Sequence, residues 1–425
     1  MRNLLKYFII ICFCFISNTI FSQKKWTLEK CIDHAKEHNL DVVKQKIRAK
    51  IIKSDIKIAK GNYLPDANLN ASQNFSLGDS FNVSTGVGQR ESSSNSFSLS
   101  SSLNIFNGFA NKYKLQKSYL SKEKAEADIN QIQFDLTLNI INKYLQVLFN
   151  KELLKVSEEQ IKISKQNDNR LKSLYENGST GKRELLEIKS TLATDTKEKI
   201  LAENKVRNSL IELKELLDVN QLENFDIKEI SIDALITKVN IITKEVIEKN
   251  PQIQSSKLDI ELKKKDILLS KTSFYPRVNL NYSYSSNYFH IIGEEDVVFN
   301  QQINQNISNG FFTQLDNNRT HYVGISATIP LFNRYLTKEN YKKSYEELKI
   351  SEIELESNKQ KLKNKIEGAQ NDLMSSKAVV KSTKIAFQSQ KEAFEIIQRQ
   401  YTNGNVTNYE FLESKNKLIK NTSEH

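Results

Sequence analysis

The sequence predicts a mainly α chain made of two copies of one unit, each a long coiled-coil helical hairpin that carries two β-strands. Three observations predict it. The 425 residues include only 12 Gly and 4 Pro, where average usage would give roughly 12% of the chain. A segment around Tyr175 recurs 226 positions later, around Tyr401. Four segments alternate strictly between apolar and small polar residues.

The missing turns fix the length of the helices. Between Gly108 and Gly178 there is neither Gly nor Pro, the same holds from Lys182 to Asn250, and only Gly368 interrupts Leu331 to Asn403. Short elements would need many connections rich in Gly, Pro, Asn and Asp, so these spans read as rods. A 65-residue helix is ~100 Å long at about 1.5 Å per residue. The net charge is +11, from 62 Lys+Arg against 51 Asp+Glu, and the mean hydropathy is −0.53. Lys and Glu are interspersed along the helical spans, which marks solvated faces rather than a nucleic-acid surface. A hydrophobic content of 38% is enough for helices that each bury one stripe.

In chain order, residues 1–22 read as a signal peptide, with Arg2 and Lys6 before an apolar run and Ser22 before a mature start at Gln23. Cys12 and Cys14 leave with it, and the one remaining thiol, Cys31, cannot build a disulfide framework. The first repeat, 23–225, starts with a helix over about 27–60 that ends before Pro65. Strands follow at about 66–77 and 96–106, then a long helix at about 107–174 and a return helix at about 182–218. The second repeat, 226–425, has a helix over about 238–273 before Pro276, strands at about 277–289 and 321–332, a long helix at about 333–400 and a return helix from about 408. By the repeat, that last helix should reach about residue 444, so the chain ending at His425 is expected to be truncated.

The repeat is explicit. Tyr175, Asn177, Gly178, Glu184, Leu186, Glu187, Lys189 and Leu192 return as Tyr401, Asn403, Gly404, Glu410, Leu412, Glu413, Lys415 and Leu418. Phe106 and Asn107 return as Phe332 and Asn333 at the same spacing. Upstream, Asn39 matches Asn250 and Pro65 matches Pro276 at an offset of 211, which places a 15-residue insertion of the second repeat in 290–320.

The strands are nearly uncharged, with Leu69, Phe75, Phe97, Leu99, Leu280, Tyr282, Val323 and Ile325 against Asn and Ser. One apolar and one wet face fit a lipid-facing barrel wall, with long outer loops at 78–95 and 290–320. Four strands cannot close a barrel, and an open edge is not tolerated in hydrocarbon. Three chains would supply twelve strands, closing a β-barrel continuous with a tube of helices.

These residues resemble the TolC-like outer-membrane efflux protein family over essentially the whole mature chain. The resemblance rests on Trp26, Leu28 and Glu29, the paired Pro65 and Pro276, the paired Phe-Asn dipeptides and the two segments that begin at Tyr175 and Tyr401. It implies a homotrimer in the cell outer membrane with a periplasmic extension, in contact with outer-membrane lipid. Its function would be that of the channel of a tripartite efflux or type I secretion system, a passive conduit with no cofactor and no catalytic role. The implied partners are a periplasmic adaptor protein and an inner-membrane transporter. Position by position, it places Tyr401, Glu410, Glu413 and Glu184 at the tunnel constriction and periplasmic entrance, and Tyr175, Gly178 and Gly404 at adaptor-docking helix tips. A threefold ring of carboxylates would concentrate cations and raise its own pKa values; alternatively the glutamates serve the helix N-termini. Better-known members carry an arginine where this chain has Val406, so a lock would need another group such as Arg183.

Two other readings are weaker. A cell-envelope coiled-coil scaffold or adhesin without a pore would share the rods. His34, Glu37 and His38 match a zinc-peptidase spacing, but no third ligand follows and no metal is expected.

Overall fold

A computed structural model describes residues 25–78, 80–82, 87–89, 91–219, 225–230 and 244–424. The predicted signal peptide lies outside the described residues. Helices α1 (Leu28–His38) and α2 (Leu40–Gly61) lead into strand β1 (Asn68–Ser76), a short hairpin of β2 (Ser80–Asn82) and β3 (Val87–Gln89), and β4 (Ser92–Asn107). The long helix α3 (Ala110–Glu176) and the return helix α4 (Lys182–Leu217) complete the first repeat. The second contains α5 (Lys244–Lys249), α6 (Pro251–Thr272), β5 (Arg277–Ile291), β6 (Val297–Asn300), β7 (Gln305–Ser308), α7 (Phe311–Asn317), β8 (Thr320–Thr328), α8 (Leu336–Thr402) and α9 (Asn408–Glu424). Helices α3 and α8 each run to 67 residues. Among the described residues no helix is long and apolar enough to cross a membrane.

Three expected elements are corrected. The first helix of each repeat is broken, at matching asparagines. Asn39 is extended and its Oδ1 accepts from the Asp41 N–H at 3.0 Å. Asn250 does the same for Gln252 at 2.9 Å, with Pro251 opening α6. An Asn side chain that caps the next helix ends the one before it. The predicted helix start at 238 lies outside the described residues. The strand expected over 321–332 stops at Thr328, because Pro330 has no N–H to give to a ladder, and Leu331 is left 93% exposed.

The chain forms two compact units. One comprises 47–128 and 250–359 and contains a four-stranded antiparallel sheet in the order β1-β4-β5-β8. Its register places Leu69 opposite Leu99, Leu99 opposite Tyr284, Leu103 opposite Leu280 and Leu280 opposite Ile325. Every apolar alternation therefore falls on the same face. The other face is a ladder of amides and hydroxyls: Asn104 Nδ2 donates to Asn279 Oδ1 at 2.8 Å, Ser102 Oγ to Asn281 Oδ1 at 3.1 Å and Asn281 Nδ2 to Ser326 Oγ at 3.2 Å. Among the described residues, strands β1 and β8 each have one edge without a strand partner. The helical part of this unit is stitched by polar contacts between α3, α6 and α8, among them Lys117 with Asp266, Ser351 Oγ to Asp259 Oδ2 at 3.0 Å and Lys263 with Glu347 at 3.2 Å.

The second unit comprises residues up to 46, 129–249 and 360–425. Its largest core is built around Tyr144, Ile140, Val147, Leu213, Leu217 and Ile227, together with Cys31 and Val42. The buried Tyr144 hydroxyl donates to backbone carbonyls, with the Lys228 oxygen at 2.5 Å and the Trp26 oxygen at 3.1 Å. It thereby fastens the short parallel bridge of Trp26 and Ile227 to α3. Burial pushes the Cys31 thiol up to about 12, so it is inert packing.

Candidate functional site

The candidate site is the tip of the two hairpins in the second unit. Both tips close identically. After α3, Gly178 N–H donates to the Tyr175 carbonyl at 3.0 Å and Ser179 N–H to Leu174 at 2.8 Å. After α8, Gly404 donates to Tyr401 at 3.2 Å and Asn405 to Gln400 at 2.9 Å. This is the Schellman cap, which needs a left-handed residue; Gly178 has φ of 71° and Gly404 of 81°. The repeated glycines are there for this backbone.

The two matching tyrosines differ. Tyr175 is exposed, whereas Tyr401 is buried, its ring stacked on Phe411 at 4.4 Å. Arg170, from α3, lays its guanidinium over that ring at 4.2 Å and donates from Nη2 to the Tyr401 carbonyl at 2.6 Å and to Thr402 at 3.3 Å. The Tyr401 hydroxyl lies 2.9 Å from Asn167 Oδ1 and 3.0 Å from Asn408 Oδ1. Burial raises its pKa, with Arg170 working against it. One cation thus satisfies the last carbonyls of α8 and ties the second hairpin to the first. Val406 packs on the same Phe394, Tyr401 and Phe411 cluster. Arg183, suggested above as a lock, instead pairs with Glu187 on its own helix at 2.8 Å.

The glutamates divide by role. Glu410 closes a capping box on α9: its Oε2 accepts from the Thr407 N–H at 2.7 Å and from the Thr407 hydroxyl at 2.9 Å, while the Glu410 N–H donates to Thr407 Oγ1 at 3.3 Å. These bonds, the backbone one first, hold its pKa below the usual glutamate range. Within one protomer this is the helix-terminus role, opposite in sign to the effect of a carboxylate ring. Glu413 pairs with Lys417 at 2.7 Å. Glu184 folds its carboxylate back over Gly181, the residue that matches Thr407 in the first repeat.

Sequence reasoning missed the most buried polar group of the unit. The Lys415 Nζ lies 2.6 Å from Asp195 Oδ2 and donates to Ser164 Oγ at 2.5 Å. Ser164 and Gln160 also donate to Asp195. Lys415 and Asp195 are 1% and 3% exposed. Burial lowers the Lys415 pKa, and the carboxylate opposes this. Its repeat partner, Lys189, is exposed. The available signal was position: Phe411, Lys415 and Leu418 form one helical row, and Ile188, Asp195, Ala202 and Ser209 are buried at seven-residue steps. His34 and His38 stack at 4.2 Å, and among the described residues no group of side chains is arranged to hold a metal ion.

The model of the outer membrane efflux protein family matches residues 31–218 and 242–424. The chain belongs to this family. Its members are channels, and the family places the chain in the outer membrane as an efflux-type channel protein. Solved structures share the fold at low identity. CusC has a TM-score of 0.77 and 13% identity, over 93% of this chain and 87% of its own. The CmeC outer membrane channel of Campylobacter jejuni gives 0.74 and 18%, over 93% and 81%. The outer membrane protein VceC of Vibrio cholerae gives 0.71 and 14%, over 93% and 91%. No curated protein matches the sequence.

Proposed function

We propose that this efflux-family chain is the outer-membrane channel of a tripartite efflux or type I secretion system. It works as a homotrimer, a passive conduit from an inner-membrane transporter and its periplasmic adaptor to the exterior, exporting small molecules or proteins. The observation that carries this reading is the sheet: a predominantly apolar face, an Asn/Ser face and, among the described residues, two edges without strand partners. Leu69, Val323 and Ile325 are each more than two-thirds exposed, a waste of apolar surface in water and a requirement in lipid. Edges in hydrocarbon must pair, and β1 of one copy meeting β8 of the next closes three copies into twelve strands.

At the hairpin tips, Tyr401, Glu410, Glu413 and Glu184 form the entrance of the tunnel, where three copies of each carboxylate attract cations. The tips at Tyr175, Gly178 and Gly404 receive the adaptor. The pump selects the substrate. The test is reconstitution of the full chain in planar bilayers. Stepwise, cation-preferring conductance that loses its preference in a Glu410→Gln, Glu413→Gln double variant is expected; absence of any conductance overturns the proposal.

A further inference from the structure

The 15-residue insertion in the second outer loop does more than lengthen the loop. Strand β8 pairs with β5 from Arg277 opposite Thr328 only as far as Ser285 opposite Thr320. Strand β5 continues to Ile291, still paired with β4 on its other side. Its last six residues would therefore present an open edge.

Helix α7 covers that edge. The Gln314 amide accepts from the Phe289 N–H at 3.0 Å and donates to the Phe289 carbonyl at 2.9 Å, making with one side chain the two bonds a paired strand residue would make. It also donates to the Asn309 carbonyl at 2.9 Å. Asn318 Nδ2 donates to the Asn287 carbonyl at 2.8 Å, and Ser286 Oγ to the Leu315 carbonyl at 2.6 Å. The Phe311 ring packs on Tyr288 at 4.9 Å and meets Phe97 edge-on at 6.4 Å. Ser286 and Phe97 are directly opposite in the register, and both stand on the face of Leu99, Tyr284 and Leu280. The helix is thus pinned to the rim of the apolar face, beside Tyr282, Tyr284 and His321, which cluster there. Aromatic residues at the rim of a barrel's apolar band sit at the headgroup level. The next residue, Phe312, stacks edge-on against Phe311 at 5.3 Å and is 82% exposed.

We propose that α7 is a membrane-interface anchor, with the Phe312 side chain seated in outer-leaflet lipid at the boundary of headgroups and acyl chains. The occupant follows from continuity: the face to which α7 is pinned is the one that meets lipid in the channel reading, on which this inference rests. An aromatic ring held at the headgroup level anchors a protein in the interface. Gln314 and Asn318 hold it there by supplying the pairing that β8 does not.

The experiment places tryptophan at Phe312 in the full chain, in phospholipid vesicles whose acyl chains are brominated near the headgroup, with the unaltered chain as the baseline for Trp26. A Val323→Trp variant, on the strand face itself, is measured alongside. Blue-shifted emission quenched by brominated lipid at both positions, lost at Phe312→Trp when Gln314→Ala is added, supports the anchor. Quenching at Val323→Trp, with Phe312→Trp quenched only by aqueous iodide, overturns the anchor and leaves the channel reading standing. Lipid quenching at neither position overturns both.

Discussion

The Lys415 ammonium is buried against the Asp195 carboxylate at 2.6 Å, with Ser164 bonded to both. The pair joins α9 of the second repeat to α4 of the first, inside a row otherwise made of packing residues. A polar contact in such a seam admits one register, since any slip leaves both charges desolvated and alone.

Removing one partner is therefore expected to cost more than removing both. Lys415→Met should destabilise the helical hairpins by ~3–5 kcal/mol, and Lys415→Met with Asp195→Leu should recover most of that loss. Denaturant melts followed by helical circular dichroism measure both. Equal losses in the single and double variants would show that the pair sets no register.

Arg170 holds the second hairpin to the first through the Tyr401 and Thr402 carbonyls. Hydrogen bonds to a charged group contribute ~1.5–3 kcal/mol. Arg170→Ala is thus expected to shift the closed-to-open ratio of reconstituted channels by about tenfold or more. Tyr401→Phe, which loses the hydroxyl but keeps the ring, should do less. Single-channel recordings report the ratio, and an Arg170→Ala channel that gates like the original contradicts this role.

The capping box carries a pH dependence of definite sign. Glu410 titrates below its ordinary value of 4.5 in the folded tip. Its contribution is therefore fully present above that value and lost as pH falls through the lowered folded pKa. Protection of the first amides of α9, taken as exchange relative to the intrinsic rate at each pH, should therefore fall in acid. Thr407→Ala, which keeps the backbone bond, should weaken this dependence, and Glu410→Gln should abolish it.

Two glycines separate backbone cost from steric cost. Around Gly404, at φ of 81°, a Cβ would meet nothing within 4 Å, so Gly404→Ala should cost about 1 kcal/mol from the left-handed conformation alone. Gly108 is also left-handed, but there a Cβ would lie 2.7 Å from the Thr272 carbonyl oxygen and from the Tyr275 Cβ. Gly108→Ala should cost roughly 1–3 kcal/mol more. Melting of the two variants side by side checks the difference.

Much of the fold was legible because long helices, alternating strands and capped turns are local properties. The spans poor in Gly and Pro announced α3 and α8, and the alternation announced four strands whose apolar rows the register brings to one face. The breaks at Asn39 and Asn250 were present in the text as matched residues, but a capping side chain competes with a continuing helix and the periodicity does not say which wins. The site was less legible. Arg170, Asn167 and Asp195 lie more than two hundred positions from Tyr401, Asn408 and Lys415, and no local pattern announces such pairs. Lys415 matches Lys189 in the repeat and differs only in what packs over it. Helix α7 was hidden for a related reason: its seven residues are held by an amide that mimics a strand.

The proposed channel requires β1 of one copy to pair with β8 of the next. A cysteine in place of Asn70 on β1, combined in turn with one at each position of β8, tests it by oxidative cross-linking of the full chain in membranes. The buried Cys31 supplies the background. At matching register a covalent species of three linked chains and nothing larger is expected; no cross-link at any position of β8 would contradict the pairing.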